Sequence, residues 1–501
     1  MRRVARVVRR GGLALPLRLA SATWLAFALS PGGDVARADD VRIESDSAFQ
    51  AYEVRSPGTS AFQTRRRLVT TAGFGWAHAL ADAPDDDGRT PRLTATVRLR
   101  LTQEFGDTCL VARALCVRAT DPRDLAAFQP LARDMWVDVP TAYAEATGLP
   151  LGLEVRLGRQ LHHDVMGMLR ADAVRVRVEP SDTVALEALA GLLVRDTSLG
   201  GSPAFEPIGA PRLDLNVDPS RAPFVAPPVH TPLVVAALEL GRTPVVRARL
   251  GFREMRDLAS TGPDGARLDG GVLARRAALS LASQPLDVLR LEADGVIDLL
   301  DTGPLTHRVI AARAGIAVQA HEELRVATRV ERLVPRFDPG SIWAYFVAAP
   351  VGEAQLDADW SPSERLTFGA GLRGRRAELG GQDGEDVDLG AEGRARARFG
   401  RLGVGGSMFV WSGDLGPMAG VLLDASLRLD RALRLEGRVS VWHFDDANRP
   451  ELYGTTVSEV LGAHWQVSDA TSALVEIEHA ASRVVGHRFR LVLALRVEAW
   501  R

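Results

Sequence analysis

The sequence predicts an all-β protein, in which a single large antiparallel transmembrane β-barrel occupies residues 39–501. Apolar residues alternate with polar or charged residues in one segment after another, from about residue 41 to the end; residues 92–102 and 423–430 are clear examples. Because successive side chains of a strand point to opposite faces, each such strand has one apolar face and one polar face. Lipid outside a closed barrel and water inside it match these two faces.

The connections between the alternating segments also indicate a barrel. Short connections such as Gly400-Arg401 alternate with longer ones such as residues 445–453. Bacterial barrels show this rhythm when short turns lie at the periplasmic end, longer loops lie outside, and both termini face the periplasm. The same geometry requires an even number of strands, and we expect about 18 to 22, with about 22 segments assignable.

A soluble β-sandwich is the main alternative, because its strands also alternate between a buried and a solvated face. The alternation here continues without a clear break over a length at which soluble sandwiches have usually closed. The aromatic residues support the barrel modestly, because seven lie near strand ends, where girdles at the membrane interfaces are expected: Trp360, Trp411, Trp442, Phe444, Tyr453, Trp465 and Trp500.

The N-terminal segment has the pattern of an export signal. Several arginines precede an apolar stretch from Leu13 to Leu29, and the small-residue triplet Ala36-Arg37-Ala38 follows. This order predicts a secretory signal peptide in residues 1–38 that is cleaved after Ala38. A membrane anchor helix is the alternative, but Arg18 interrupts the apolar stretch.

The charge balance argues against a nucleic-acid partner. Residues 1–38 hold seven arginines and one aspartate, which leaves 54 basic and 62 acidic residues, a net charge of −8, in residues 39–501. All basic residues other than histidine are arginines, since the chain has no lysine. Nucleic-acid-binding proteins carry basic surfaces, so an acidic chain does not fit that class.

Two long interruptions of the alternation, residues 107–133 and 196–231, are expected to be outer loops. The first contains Cys109 and Cys116, which we expect to form a local disulfide in an oxidising compartment. The second is rich in proline, which disfavours regular structure. The sequence does not indicate which loop, if either, narrows the lumen.

One short segment resembles a known family. Gly158-Arg159-Gln160 is followed by Asp172, with Ala173 where the related pattern usually has glycine. This arrangement resembles the strand–loop–strand motif of porin-like and alginate-export-like barrels of the Gram-negative outer membrane. The alternating last strand ends on Trp500 and resembles the signal by which the barrel-insertion machinery recognises such proteins. The resemblance implies passage or export of a solute without naming it.

The polar faces of the strands would line the lumen. Acidic residues such as Glu292, Asp294 and Glu476 share these faces, so cross-strand ion pairs are the expected role of most inward arginines. A ring of unpaired arginines would instead favour anions, and residues 394–398 are the best candidates for such a ladder. The lumen and selectivity candidates are Arg98, Arg100, Arg156, Arg175, Arg177, Arg247, Arg249, Arg394, Arg396, Arg398, Arg434 and Arg438.

Motifs for chemistry are scarce. His162, His163 and Asp164 could suggest a metal site, but adjacent histidines on a strand point in opposite directions, so we expect a solvated loop there. We predict no catalytic residues, metal or cofactor, and expect the partners to be outer-membrane lipid, the insertion machinery and small solutes. The predicted function is an outer-membrane channel of a Gram-negative bacterium. A non-conducting structural or adhesion barrel and a lipid-acting barrel enzyme remain alternatives, and the oligomeric state is open.

Overall fold

The computed structural model describes residues 39–55, 62–80, 90–104, 135–194, 231–241, 245–261, 267–268, 270–300, 308–334, 350–377, 386–413, 416–445, 453–482 and 486–500. In these residues, 22 strands form one antiparallel sheet, and its first and last strands pair with each other, so the sheet closes into a barrel. The prediction of a closed barrel with an even strand number is confirmed. The predicted signal peptide (1–38), the disulfide candidates Cys109 and Cys116, and the segments 107–133 and 196–231 lie outside the described residues.

The barrel strands follow one another in chain order. The first eleven are β1 (Asp39–Arg55), β2 (Phe62–Ala79), β3 (Arg92–Glu104), β4 (Met135–Leu149), β5 (Leu153–Asp164), β6 (Gly167–Ser181), β7 (Val184–Leu193), β8 (Pro232–Leu240), β9 (Val246–Asp257), β10 (Gly271–Leu286) and β11 (Leu289–Asp298). The other eleven are β12 (Val309–His321), β13 (Leu324–Leu333), β14 (Val351–Ser363), β15 (Leu366–Ala377), β16 (Asp386–Phe399), β17 (Leu402–Ser412), β18 (Met418–Arg428), β19 (Leu433–Phe444), β20 (Gly454–Ser468), β21 (Thr471–Ser482) and β22 (Gly486–Trp500). Each of the 22 overlaps a segment that the alternation predicts.

Short turns gather at one end of the barrel, which we call the short-turn end. A 3-10 turn, Pro150–Gly152, joins β4 to β5 there, and two-residue turns join strand pairs such as β10–β11 and β16–β17. The connection from β5 to β6 is an exception, because its two-residue turn lies at the opposite end.

The two faces of the sheet differ as the sequence predicts. Leu157, Leu389, Leu423 and Leu461 project from the outer face, and each has 58% or more of its surface exposed. Side chains on the inner face carry most of the ion pairs, for example between Arg313 and Asp294. No helix in the described part of the chain is long and apolar enough to cross a membrane.

Candidate functional site: the lumen and its inner hairpin

The tip of the β5–β6 hairpin leaves the barrel wall. The pairing of β4 with β5 ends at Ala142 and Arg159, and the pairing of β6 with β7 ends at Ala171 and Leu193. Within the hairpin itself, pairing continues to Asp164 opposite Gly167. We call residues 159–172 the inner hairpin.

Gly158 provides the bend that starts the inner hairpin. Its φ of +124° is a backbone conformation that residues with a side chain rarely adopt. A Cβ at this position would overlap the carbonyl oxygen of Ala142 on β4. Glycine therefore allows β5 to turn away from β4 at this point.

An arginine from a distant strand holds the tip of the inner hairpin. Arg253 of β9 lies 2.6 Å from the carboxylate of Asp164 and donates hydrogen bonds to the carbonyl oxygens of Met166, at 3.2 Å, and Gly167, at 3.0 Å. Arg253 shares the inner face with Arg249, four residues earlier on β9. Because β6, β7 and β8 separate β5 from β9 in the sheet, the hairpin can make these contacts only from inside the barrel.

Apolar contacts fix the same tip against the wall. Met166 is buried in a cluster with Ala278 of β10, Val296 of β11 and Ile310 of β12. A second buried cluster joins Leu169 of the hairpin to wall residues that include Leu189 and Val235. The wall at these two clusters is therefore apolar, whereas elsewhere beneath the hairpin it carries charged residues such as Arg253 and Glu187.

The other face of the inner hairpin is more exposed and mixed in character, because Leu161 and Met168 (45% and 55% exposed) lie on it beside charged residues. Arg159 forms a two-pronged ion pair with Asp172, with N···O distances of 2.7 and 2.8 Å. Arg170 reaches Asp138 of β4 at 3.3 Å, and Arg100 of β3 also binds Asp138, at 2.8 Å. Three arginines and two carboxylates thus line this side, which leaves one positive charge in excess.

The residues of the family-like sequence motif all lie at the base of the inner hairpin. Gly158 makes the bend, Arg159 and Asp172 form the ion pair, and Gln160 donates a buried hydrogen bond of 2.9 Å to the carbonyl oxygen of Ala173. The motif therefore marks the base of the inner hairpin.

The expectation of a solvated loop at residues 162–164 is wrong. His162 and Asp164 point to the buried face of the hairpin, with side chains 6% and 3% exposed, and lie 3.2 Å apart. His163 points to the opposite, exposed face, as the strand periodicity requires. Among the described residues, no three His, Cys, Asp or Glu side chains come together as metal ligands.

Beneath the hairpin, inward arginines and glutamates form a closed network. Glu187 of β7 accepts hydrogen bonds from Arg175, at 2.9 Å, and from Arg249, at 3.0 Å. Glu239 of β8 binds Arg177 at 2.7 Å and also contacts Arg249. These three selectivity candidates are therefore engaged in ion pairs along the wall.

The structure divides the other candidates into paired and unpaired arginines. Arg98 is paired with Glu44, Arg156 with Glu145, and Arg434 with Glu436, at N···O distances between 2.5 and 2.7 Å. Arg394 reaches Asp359 of β14, at 2.6 Å, by passing over Gly369 of β15. Four candidates make no ion pair within the described part of the chain: Arg247, Arg396, Arg398 and Arg438.

Three more inward arginines belong with this unpaired set. Arg325 of β13 and Arg428 of β18 are exposed and, among the described residues, have no acidic partner. Arg276 of β10, opposite Arg253, is a third: it has no ion pair among the described residues, and its Nε is buried without a hydrogen-bond partner. Of these seven arginines, all but Arg276 and Arg438 lie within four residues of a turn at the short-turn end. The unpaired positive charge of the inner wall is therefore concentrated near that mouth of the barrel.

The aromatic residues divide between the two faces. Trp360 and Trp465 lie on the outer face, as an interfacial girdle requires. The expectation of a girdle position is wrong for Trp411, Trp442 and Phe444, because the strand register places them on the inner face.

The apolar outer face, the charged inner face and the closed sheet define the class of this protein, which is a transmembrane β-barrel with a polar lumen partly filled by its own hairpin. No protein-family model matches the sequence, and no curated protein is significantly similar to it.

Several solved barrels are similar in structure. OccAB4 from Acinetobacter baumannii is 8% identical, with 93% of this chain and 99% of that chain covered and a TM-score of 0.43. The outer membrane protein opdK from Pseudomonas aeruginosa is 9% identical, with coverages of 93% and 99% and a TM-score of 0.41. A BenF-like porin from Pseudomonas fluorescens Pf-5 is 8% identical, with coverages of 92% and 99% and a TM-score of 0.43. Such identities and scores establish neither a family nor a shared function. None of the three is named as an alginate exporter, and that part of the sequence resemblance has no support here.

Proposed function

We propose that this protein is a channel of the Gram-negative outer membrane through which small polar or charged solutes diffuse, with a preference for anions. The observation that carries the anion preference is the set of unpaired inward arginines near the short-turn end. Ion pairs neutralise most other inward charges, and near this end the five arginines outnumber the inward carboxylates without an ion pair among the described residues, Glu154 and Asp424. That part of the lumen therefore carries an excess of positive charge. The proposed activity is passive and requires no catalytic residue, cofactor or metal.

The inner hairpin supports a channel of restricted width. The diameter of a barrel grows with strand number, so 22 strands enclose a wide lumen. The hairpin occupies part of that space beside β6–β12 and presents Arg159 and Asp172 to the lumen, while Arg170 is buried against Asp138. A solute that passes the hairpin would therefore meet these charges before it reaches the arginines of the short-turn end.

We further propose that residues 1–38 direct export and are removed, and that the insertion machinery recognises β22. Support for the first comes from the basic, apolar and small-residue order of the segment. Support for the second comes from the alternation of β22 and its ending on Trp500.

Planar-bilayer recording of the purified protein tests the channel. We expect stable conductance steps and, under a salt gradient, a reversal potential of the sign that anion selectivity produces. The preference should decrease at high salt, because salt screens exposed charges. A protein that inserts as a heat-modifiable barrel but never conducts would instead support the structural-barrel alternative.

A further inference from the structure

Three aromatic side chains form a continuous feature on the inner wall. Phe409 and Trp411 lie on β17, and Trp442 lies on β19, near the mouth opposite the short-turn end. In the strand register, Phe409 lies opposite Glu392 and Trp442 lies opposite Gly420. This register places both rings on the charged, inward face. We call Phe409, Trp411 and Trp442 the aromatic lane. Water-exposed aromatic rings are unexpected on the polar inner wall of a barrel.

Glycines beneath the lane set the orientation of the rings. A Cβ at Gly420 would lie 2.7 Å from the ring of Phe409 and 2.9 Å from the Cβ of Trp442. A Cβ at Gly390 would lie 2.7 Å from the indole of Trp411. The rings of Phe409 and Trp411 therefore each have one side packed over the bare backbone of a glycine. Trp442 keeps 46% of its surface exposed.

Fixed hydrogen-bonding groups flank the lane. The guanidinium of Arg375 lies 5.1 Å from the ring centre of Trp411 and is held at 2.7 Å by the fully buried carboxylate of Asp388. Glu392, which is the cross-strand neighbour of Phe409, is paired with Arg373 at 3.0 Å. Both arginines are neutralised by their partners, so among the described residues the lane offers donors and acceptors without an uncompensated cation beside the rings.

We propose that the aromatic lane is a stacking site for sugar rings, so that the channel takes up or passes short oligosaccharides. This proposal rests on the proposed channel function. The apolar C–H face of a pyranose packs on an aromatic ring, while its hydroxyls require donors and acceptors at the edge, which Arg375 and Glu392 provide. An aromatic carboxylate would need an unpaired cation at the same place, and the two arginines nearest the lane are already paired.

The length of the lane limits the ligand. Trp411 and Trp442 lie on strands two positions apart, which corresponds to about 10 Å across the sheet. That distance accommodates about two sugar rings. Affinity should therefore rise from one sugar unit to two or three and then stay nearly constant with further length.

The test combines binding and current block with one set of probes: glucose, maltose, maltotriose, maltohexaose and cellotriose. Calorimetry in detergent measures the dissociation constant, and planar-bilayer recording measures block of the ion current. We expect the wild-type affinity to follow the length dependence above for at least one linkage. Trp442→Ala and Trp411→Ala should each weaken binding about five- to tenfold. Trp442→Tyr, which keeps an aromatic face, should retain most of the affinity.

Trp465→Ala is the matched control, because Trp465 lies on the outer face, where its loss should leave sugar affinity unchanged. The proposal is overturned if the wild type binds none of these sugars, if the lane variants bind as tightly as the control, or if benzoate binds more tightly than every sugar. Lane-dependent sugar binding by a protein that never conducts would support the stacking site and count against the channel function. Conductance without lane-dependent sugar binding would support the channel function and count against the stacking site.

Discussion

Arg253 and Asp164 form an ion pair of 2.6 Å, although three strands separate β9 from β5 around the barrel. Both side chains are at most 4% exposed, and the same guanidinium also binds two carbonyl oxygens of the hairpin turn. A buried charge that loses its partner is strongly destabilising. The pair therefore determines whether the inner hairpin stays against the wall.

Replacement of Arg253 by alanine should release the inner hairpin. Loss of one partner from a buried pair costs about 3–5 kcal/mol, and here that cost acts on the docked position of the hairpin. We expect larger and noisier single-channel conductance, while the barrel itself still migrates as a heat-modifiable band. Arg256→Ala is the control, because Arg256 lies on the same strand but is more than half exposed. Conductance identical to that of the control would show that the hairpin does not limit the pore.

Gly158→Ala should disturb the base of the inner hairpin. Alanine would need a strained backbone at a φ of +124°, and its methyl group would overlap the carbonyl oxygen of Ala142. Strain of this kind costs about 1–3 kcal/mol. We expect a lower urea midpoint of unfolding in lipid vesicles. Gly295→Ala on β11 is the comparison, because no atom lies within 4 Å of a Cβ there. Equal midpoints for the two variants would contradict the assigned role of Gly158.

The sequence alternation predicts the strands well because each strand has two different solvents on its two faces. It does not predict the inner hairpin, where that relationship changes. Before Gly158, the outward positions are apolar, as at Val155 and Leu157. After Gly158, the same alternation places Arg159 on that face and Asp172 opposite it. A polar residue at a lipid-facing position was the available signal, and it indicates that the segment has left the membrane wall.

Side-chain partners and face assignments at strand ends also require the register. Arg394 looks unpaired in the sequence, since Asp359, which pairs with it, lies two strands away. Trp411 and Trp442 lie near strand ends, where both a girdle and a lumen position are open from the sequence. A shift of the strand register by one residue exchanges the two faces, so the face of each tryptophan is known only once its cross-strand neighbours are known. In both cases the sequence alone lacks the strand register, which depends on residues far apart in the chain.

The double variant Arg396→Gln, Arg398→Gln should reduce the anion preference. Both side chains are inward and exposed, and within the described residues neither has an acidic partner. Their removal lowers the unpaired positive charge near the short-turn end without leaving an orphaned carboxylate. We expect the reversal potential under a salt gradient to move towards zero, with conductance steps retained. Arg256→Gln on the outer face is the control, and an unchanged reversal potential in the double variant would remove these arginines from selectivity.

Leu422 and Leu423 test the two faces of the barrel with one residue type and one strand. Leu423 is outward and 58% exposed, whereas Leu422 is paired with Ser407 and Ser440 on the inner face. An arginine on the lipid face near the middle of a strand costs about 2–4 kcal/mol, while lumen positions tolerate charge. Leu423→Arg should therefore lower the free energy of unfolding in vesicles by about that amount, and Leu422→Arg should lower it much less. Because both variants add the same charge to β18, any difference between them reports the solvent on each side. Equal destabilisation would mean that water or protein, not lipid, covers the outer face of β18.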